Sequence, residues 1–324
     1  MSLRVRPMVA GDDDAVYVDI YNRVAAGLPE QSPTSPAELE FQRSMPYYDP
    51  HGRFVAELAG CAVGLGFGTI NPLDPARIGW LNVKVLPELR RRRVGTGLAE
   101  AALASLRQRG AQKLWSGAWE ESSAGTAFLR SLGFREQTFE SWLRRPLADL
   151  PHGIGEHTGV EIRETTLEDD DLRLTVDLLN EVFCEDRDRT PTTVEARRKR
   201  AAELARQGGV IRTWVAMLGG RPVGVVQAVI SPRENSALDV RRGTLMGLGV
   251  LRSFRRQGIA RALVIRALEF LKDRGMAEAE LSADNDNPTR ALGIYLKMGF
   301  RVARRFVEFE LPRSHQRDVV QQSP

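Results

Sequence analysis

Val250-Leu251-Arg252-Ser253-Phe254-Arg255-Arg256-Gln257-Gly258-Ile259-Ala260 joins an apolar run to a stretch with helical spacing. The run before it, Leu245 to Leu251, reads as a short strand; the stretch after it, Ile259 to Arg274, repeats its apolar residues at helical intervals. Between them lies an arginine-rich turn that ends on a glycine. A helix N-terminus leaves its first amide N–H groups without intrahelical partners, and the helix dipole favours an anion there. Gly258 carries no Cβ to obstruct close backbone approach, and arginine adds charge-assisted contacts. The turn therefore offers a phosphate cradle built from Arg255, Arg256, Gln257, Gly258, Ile259 and Ala260. A solvated basic helix start is the plainer reading of the same residues.

The chain writes this arrangement twice. Val5-Arg6 and Ile162-Arg163 each precede a triplet of acids, Asp12 to Asp14 and Asp169 to Asp171, and then an apolar-periodic segment. Phe54 to Gly60 and Trp214 to Gly220 match, and each turns into a second apolar run, Ala62 to Ile70 and Pro222 to Ile230, as a hairpin would. Strand candidates Leu81 to Leu86 and Leu245 to Leu251 lead through arginines into helical patterns, Val94 to Arg109 and Ile259 to Arg274, which stop at Gly110 and Gly275. Strands at Lys113 to Ala118 and Ala277 to Ala283 precede short helices ending in Gly133-Phe134 and Gly299-Phe300. Arg90 aligns with Arg255, Gly133 with Gly299 and Pro146 with Pro312 at a nearly constant offset. The reading is a duplication: a first domain over 1–146, a linker over 147–159, a second domain over 160–312 and a polar tail over 313–324.

Composition narrows the class. Hydrophobic residues at 42% and charged residues at 27% describe a globular protein, and a net charge of +4 is spread over scattered residues of both signs. No nucleic-acid-binding motif accompanies the basic turn. The two cysteines, Cys61 and Cys184, fall one to each half and suggest a reducing compartment, not a disulfide framework. The start lacks the apolar run of a secretory signal, and no stretch is long and apolar enough for a bilayer. A cytoplasmic protein without membrane or nucleic-acid partners is expected. The histidines, His51, His152, His157 and His315, form no ligand spacing with either cysteine, so no metal is expected. Gly64-Leu65-Gly66-Phe67-Gly68 sits inside a strand and opens no helix, which removes it as a dinucleotide fingerprint.

Arg255-x-x-Gly258-x-Ala260 after a strand resembles the coenzyme A pyrophosphate loop of the GNAT superfamily of N-acetyltransferases. With the repeated strand order and the two Gly-Phe pairs, the chain is identified as a tandem member. The resemblance implies an α+β fold with two duplicated domains, each a mixed, mostly antiparallel twisted sheet flanked by helices. It also implies acetyl-CoA as acyl donor, with Leu248, Val250, Asn287 and Ala291 as further donor contacts. In the first half Val83, Val85, Arg90, Arg91, Val94 and Gly95 stand at matching positions, but Arg93 replaces the middle glycine.

Acyl transfer to an amine requires a deprotonated nucleophile, donors for the developing oxyanion and an acid for the departing thiolate. The resemblance gives the acid role to Tyr295 and the oxyanion contact to the Val250 N–H. The first half has Leu129 at the tyrosine position and Glu121 at the asparagine position, so its domain is expected to be catalytically impaired, structural or regulatory. Glu181, Glu185 and Asp186 are candidates for attracting a cationic small-molecule amine, and Asp284 is a candidate base. An acyl-CoA sensor without turnover is the rival reading.

Overall fold

The computed structural model describes residues 2–28, 30–150, 159–185, 190–285 and 291–312. The first half runs β1 (Leu3–Pro7), α1 (Asp14–Ala25), α2 (Pro36–Ser44), β2 (Arg53–Leu58), β3 (Cys61–Ile70), β4 (Ile78–Val85), α3 (Val94–Gln108), β5 (Lys113–Trp119), α4 (Ser123–Ser131) and β6 (Arg135–Pro146). The second half runs β7 (Glu161–Thr165), α5 (Asp169–Val182), α6 (Val194–Arg206), β8 (Val210–Leu218), β9 (Arg221–Ile230), α7 (Pro232–Leu238), β10 (Arg242–Val250), α8 (Ile259–Asp273), β11 (Glu278–Asp284), α9 (Ala291–Lys297) and β12 (Arg301–Glu310). The repeated order expected from the sequence is present, with α7 added in the second half only.

The chain divides into two compact units. One holds the residues up to Thr138 together with a segment beginning at Phe306; the other runs from Phe139 to Arg305. The first unit has strand order β1-β2-β3-β4-β5-β12, and the second β6-β11-β10-β9-β8-β7. In each, the ladder is antiparallel except for one parallel pair, β4 with β5 and β10 with β11. The repeat and the units therefore have different boundaries. Residues Glu140 to Pro146 of β6 pair with β11, and Phe306 to Glu310 of β12 pair with β5. The last strand of each sequence half completes the sheet of the other unit. The division expected at Pro146 thus marks the end of the repeat and lies inside the second unit. The expected linker also begins as packed chain: Leu147 is 1% exposed, and its N–H donates to the Ala277 carbonyl at 2.9 Å. Residues 151–158 and 313–324 lie outside the described residues.

Each central helix lies across its sheet because the sheet leaves room for it. α3 turns Val94, Leu98, Ala102 and Leu106 inward, a stripe at helical spacing. Beneath it the glycine alternation of β3 finds its purpose. A Cβ on Gly68 would stand 2.5 Å from the Ala102 carbonyl oxygen, a backbone atom that cannot rotate away. Gly68→Ala should therefore cost about 1–3 kcal/mol by overpacking. A lowered denaturation midpoint at constant slope would show it; an unchanged midpoint would mean that α3 does not press on β3. α8 repeats the design with Ile259, Leu263 and Leu271 buried, and it closes on Gly275 at φ 77°.

Candidate active site in the second unit

β10 and β11 are paired only at Arg242, Gly243 and Thr244. Beyond Thr244 the two strands have no common ladder, so the β11-facing edge of Leu245 to Val250 is open to an incoming extended chain. On the other edge β10 stays with β9, but its register slips between Met246 and Gly249. Gly247 and Leu248 together oppose one residue, a β-bulge with Gly247 at φ 58°. Gly249 lies against α5: a Cβ there would meet the Val182 side chain at 2.4 Å.

Peptide alternation fixes which way Val250 faces. The Leu251 N–H donates to the Val223 carbonyl at 2.9 Å, towards β9. In extended backbone the preceding N–H points the opposite way, so the Val250 N–H faces the open edge. The Val250 carbonyl accepts from Arg255 Nε at 3.0 Å.

The turn after β10 is shaped for an anion. Arg256 has φ 65° and Gly258 φ 80°, both left-handed. Ile259 is buried at 1% exposure and anchors α8, whereas Arg256, Gln257 and Gly258 are exposed. No side chain caps α8, and among the described residues the amides of Arg256, Gln257 and Gly258 donate no backbone hydrogen bond. Free amides, the helix dipole and flanking guanidinium groups fit a diphosphate.

Arg255 is tied differently from the sequence expectation. Besides the Val250 carbonyl, its Nη1 donates to Glu185 Oε2 at 2.8 Å, and Arg252 Nη1 donates to Glu185 Oε1 at 2.9 Å. The Arg255 hydrogen bond, followed by the neighbouring charges, holds the Glu185 carboxyl below its usual range. Glu185, expected beside the acceptor, is instead paired with both Arg252 and Arg255 of the turn. Glu181 is exposed at the end of α5. Asp186 and Asn287 lie outside the described residues. Asp284 ends β11 opposite Glu140.

Tyr295 is 6% exposed within the core that also holds Met298 and Phe300, its ring edge-on to Phe300 at 6.0 Å. Burial pushes the phenol up to about 12. Its helix closes through Phe300 N–H to the Tyr295 carbonyl at 3.1 Å, with Gly299 at φ 84°. Arg145, 7% exposed on β6, donates to the carbonyls of Met298 and Asp149. A side chain from the end of the first sequence half thus fastens the helix that carries Tyr295. Ala291 begins that helix, half-buried.

The first unit keeps the turn and the short parallel pairing, β4 with β5 only at Ile78, Gly79 and Trp80, but not the bulge or the tyrosine. Arg91 at φ 64° and Arg93 at φ 62° reproduce the left-handed positions of Arg256 and Gly258, at a cost of about 1–2 kcal/mol for a non-glycine residue. Arg90 Nε reaches the Val85 carbonyl at 3.4 Å, Val94 is buried and Gly95 half-buried. Yet β3 and β4 pair without a slip from Gly64 with Val85 to Ile70 with Gly79. Val83 and Val85 pack against the α3 side. Lys84 stands where Gly249 does, its Nζ 4.7 Å from the Tyr21 ring centre, and burial lowers its pKa. Leu129 takes the Tyr295 place, 5% exposed, with the same closing bond from Phe134 N–H at 3.1 Å.

Two residues missed by the sequence reading lie beside the bulge. Gln227 on β9 is 4% exposed; its Nε2 donates to Thr213 Oγ1 at 2.7 Å, and its Oε1 accepts from Arg197 Nη1 of α6 at 3.1 Å. That Oε1 is 3.6 Å from the point where a Gly247 Cβ would be. The available signal was the repeat, which sets Gln227 against Phe67 in the matched hairpins. Among the described residues no cluster of His, Cys, Asp or Glu could hold a metal ion, and no helix is long and apolar enough to cross a membrane.

A sequence model described as the acetyltransferase (GNAT) family matches residues 17–134 and again 175–300. Mycothiol acetyltransferase of Thermobispora bispora is 31% identical over 147 residues, 44% of this chain and 50% of that protein, so the chain spans about half of that relative's length. Mycothiol acetyltransferase of Catenulispora acidiphila is 30% identical over 238 residues, 67% of this chain and 68% of that protein. A tandem GNAT protein from the clavulanic acid biosynthesis pathway superposes with a TM-score of 0.72 at 17% identity, covering 95% of this chain and 98% of its own, a likeness of fold.

Proposed function

Since the chain belongs to the acetyltransferase (GNAT) family, we propose that its second unit transfers an acetyl group from acetyl-CoA to a small-molecule amine. The observation that carries this reading is the glycine bulge of Met246 to Gly249, present in β10 and absent from β4. It lies beside an open strand edge and a turn with free amides, the surroundings that a diphosphate attached to an extended amide-bearing arm requires. The named relatives, themselves acetyltransferases, support the same chemistry.

Acetyl-CoA supplies the activated acyl carbon. The turn amides of Arg256 to Ile259 hold its phosphates, and Arg255 sets the turn against Val250 through the carbonyl bond. The Val250 N–H donates to the acyl oxygen as charge develops there. Tyr295 presents a protonated phenol to the departing sulfur. An acceptor ammonium gives up two protons in all, one ending on the thiol and one in solvent, as the C–S bond breaks and the C–N bond forms. Glu181, at the end of α5, and Asp186, a few residues further along the sequence, are the groups we assign to drawing in the cationic acceptor. Two exposed free cysteines support placing the protein in the cytoplasm.

We assign the first unit a structural or regulatory role, because Leu129 has no proton to give and the β3–β4 ladder is continuous. Its retained turn favours a second reading for that unit alone, coenzyme binding without turnover. Arg255→Ala should raise the acetyl-CoA Kd about tenfold or more, since charge-assisted bonds that shape the turn are lost. Arg90→Ala with Arg91→Ala should leave thiol release within about threefold, as residues sharing no contacts act independently. Calorimetry and thiol titration on both variants test this, and the opposite ranking would move the active site to the first unit.

A further inference from the structure

We infer that the amine acceptor of the second unit also carries a carboxylate, and that Arg197 is the group that receives it. The inference rests on the acetyltransferase reading above and names the substrate class of that same site.

The duplication supplies an internal control. Asn22 exchanges two hydrogen bonds with the backbone of Thr34, and Asn180 does the same with Thr192. The next residues, Ser35 and Thr193, cap α2 and α6 by accepting from the N–H of Glu38 and Ala196. One residue further, the N–H of Leu39 donates to Ser35 and that of Arg197 to Thr193, at 3.0 and 3.1 Å. Leu39 and Arg197 therefore occupy the same place in the two units. The strand ladders equate Phe67 with Gln227 in the same way, because Gly64 faces Val85 and Gly224 faces Val250. In the first unit the two positions are apolar core, with Leu39 fully buried and Phe67 nearly so. In the second unit the same two positions hold a guanidinium and an amide.

That guanidinium is poorly matched by what surrounds it. Of its five N–H donors, one meets Gln227 Oε1, and the buried Nε has no partner. Three of the four other cations of α6 have acids of their own, Arg198 with Asp169, Lys199 with Glu195 and Arg206 with Glu203, Arg200 being the exception. Arg197 has none among the described residues. Arg200, one turn on, adds a second positive charge and lies against Met246 Sδ at 3.6 Å. Burial and this like charge bring the Arg197 pKa down to about 10, as expected of a cation held without a counter-ion. Arg197 is half-buried, and a partly desolvated cation without a counter-ion favours the arrival of an anion. Arg197 adjoins the bulge, since Gln227 Oε1 links it to Gly247 and Arg200 touches Met246. A bidentate carboxylate matches a guanidinium in geometry and charge, and an amine close to that carboxylate would then reach the acyl carbon beside Val250. The product is the N-acetylated acid, formed with one thiol and one proton released to solvent.

The test compares amino acids with their α-carboxamides, glycine with glycinamide and alanine with alaninamide among them, by thiol release from acetyl-CoA. The wild-type protein should prefer the acids by at least about tenfold in kcat/KM. Arg197→Leu, which installs the first unit's residue, should bring that ratio near one, leave acetyl-CoA affinity unchanged and melt several degrees higher, because an unpaired charge is gone. Arg197→Lys keeps the charge and should keep part of the preference; it serves as the readout if the leucine variant does not fold. Equal use of acids and amides, or a preference that survives Arg197→Leu, overturns the inference. So does acetyl-CoA binding without release from any pair. Failure to bind acetyl-CoA at all instead overturns the acetyltransferase reading beneath it.

Discussion

Tyr295→Phe should lower kcat by about 10²–10⁴, the range for losing a positioned acid, with little change in acetyl-CoA affinity. The substitution removes one oxygen and keeps the ring that packs edge-on to Phe300 at 6.0 Å, so stability should shift by no more than about 1 kcal/mol. A catalytic loss without an unfolding loss separates chemistry from packing. The phenol's pKa makes a further statement. Folding raises it from about 10 in a free chain to about 12 through burial. A raised value means that the folded state favours the protonated form. That contribution is complete below about pH 10 and is lost as pH climbs through about 12. Tyr295 thus remains a proton donor across the neutral range. Any rise of turnover between pH 6 and 9 should then follow the acceptor amine and persist unchanged in shape in Tyr295→Phe. Undiminished kcat in that variant would remove Tyr295 from the mechanism.

A fragment of residues 160–312, the second half by repeat, should fail to fold, whereas one starting at Phe139 and ending at Arg305 retains the second unit. The difference is β6. It covers β11 through the register from Glu278 with Pro146 to Asp284 with Glu140. It also contributes Leu143, wholly buried in the core around α8, and Arg145, which fastens the end of α9. Deleting one buried leucine costs about 2–5 kcal/mol, and losing a buried guanidinium that satisfies two carbonyls adds to it. A domain has only about 5–15 kcal/mol in hand, and an uncovered β11 edge invites aggregation. Circular dichroism and a cooperative melt for the shorter fragment would refute the strand exchange.

The duplication could be read from the sequence because turns and helix ends are local: Gly110, Gly275 and Gly299 carry their left-handed conformations in their own residue type, and the two arginine turns recur at a nearly constant offset. The exchange of last strands could not be read. Alternation tells which face of β6 is buried but not which strand lies alongside it. The bulge fell between these cases. Gly247 and Gly249 mark a place where backbone is approached closely, but only the ladder with β9 shows that a residue is inserted. Charged partners were hardest. Glu185 was expected at the acceptor because it follows α5, and its pairing with Arg252 and Arg255 spans a separation that no local pattern encodes. Arg197 and Gln227 were legible in principle, as polar residues at positions where the other half has Leu39 and Phe67.

Hydrogen exchange at single-amide resolution, with and without acetyl-CoA, addresses the proposed donor site most directly. Slowed exchange at Arg256 through Ala260 and at Val250 is the expected outcome. Protection confined to Arg91 through Gly95, or none at either turn, would contradict it.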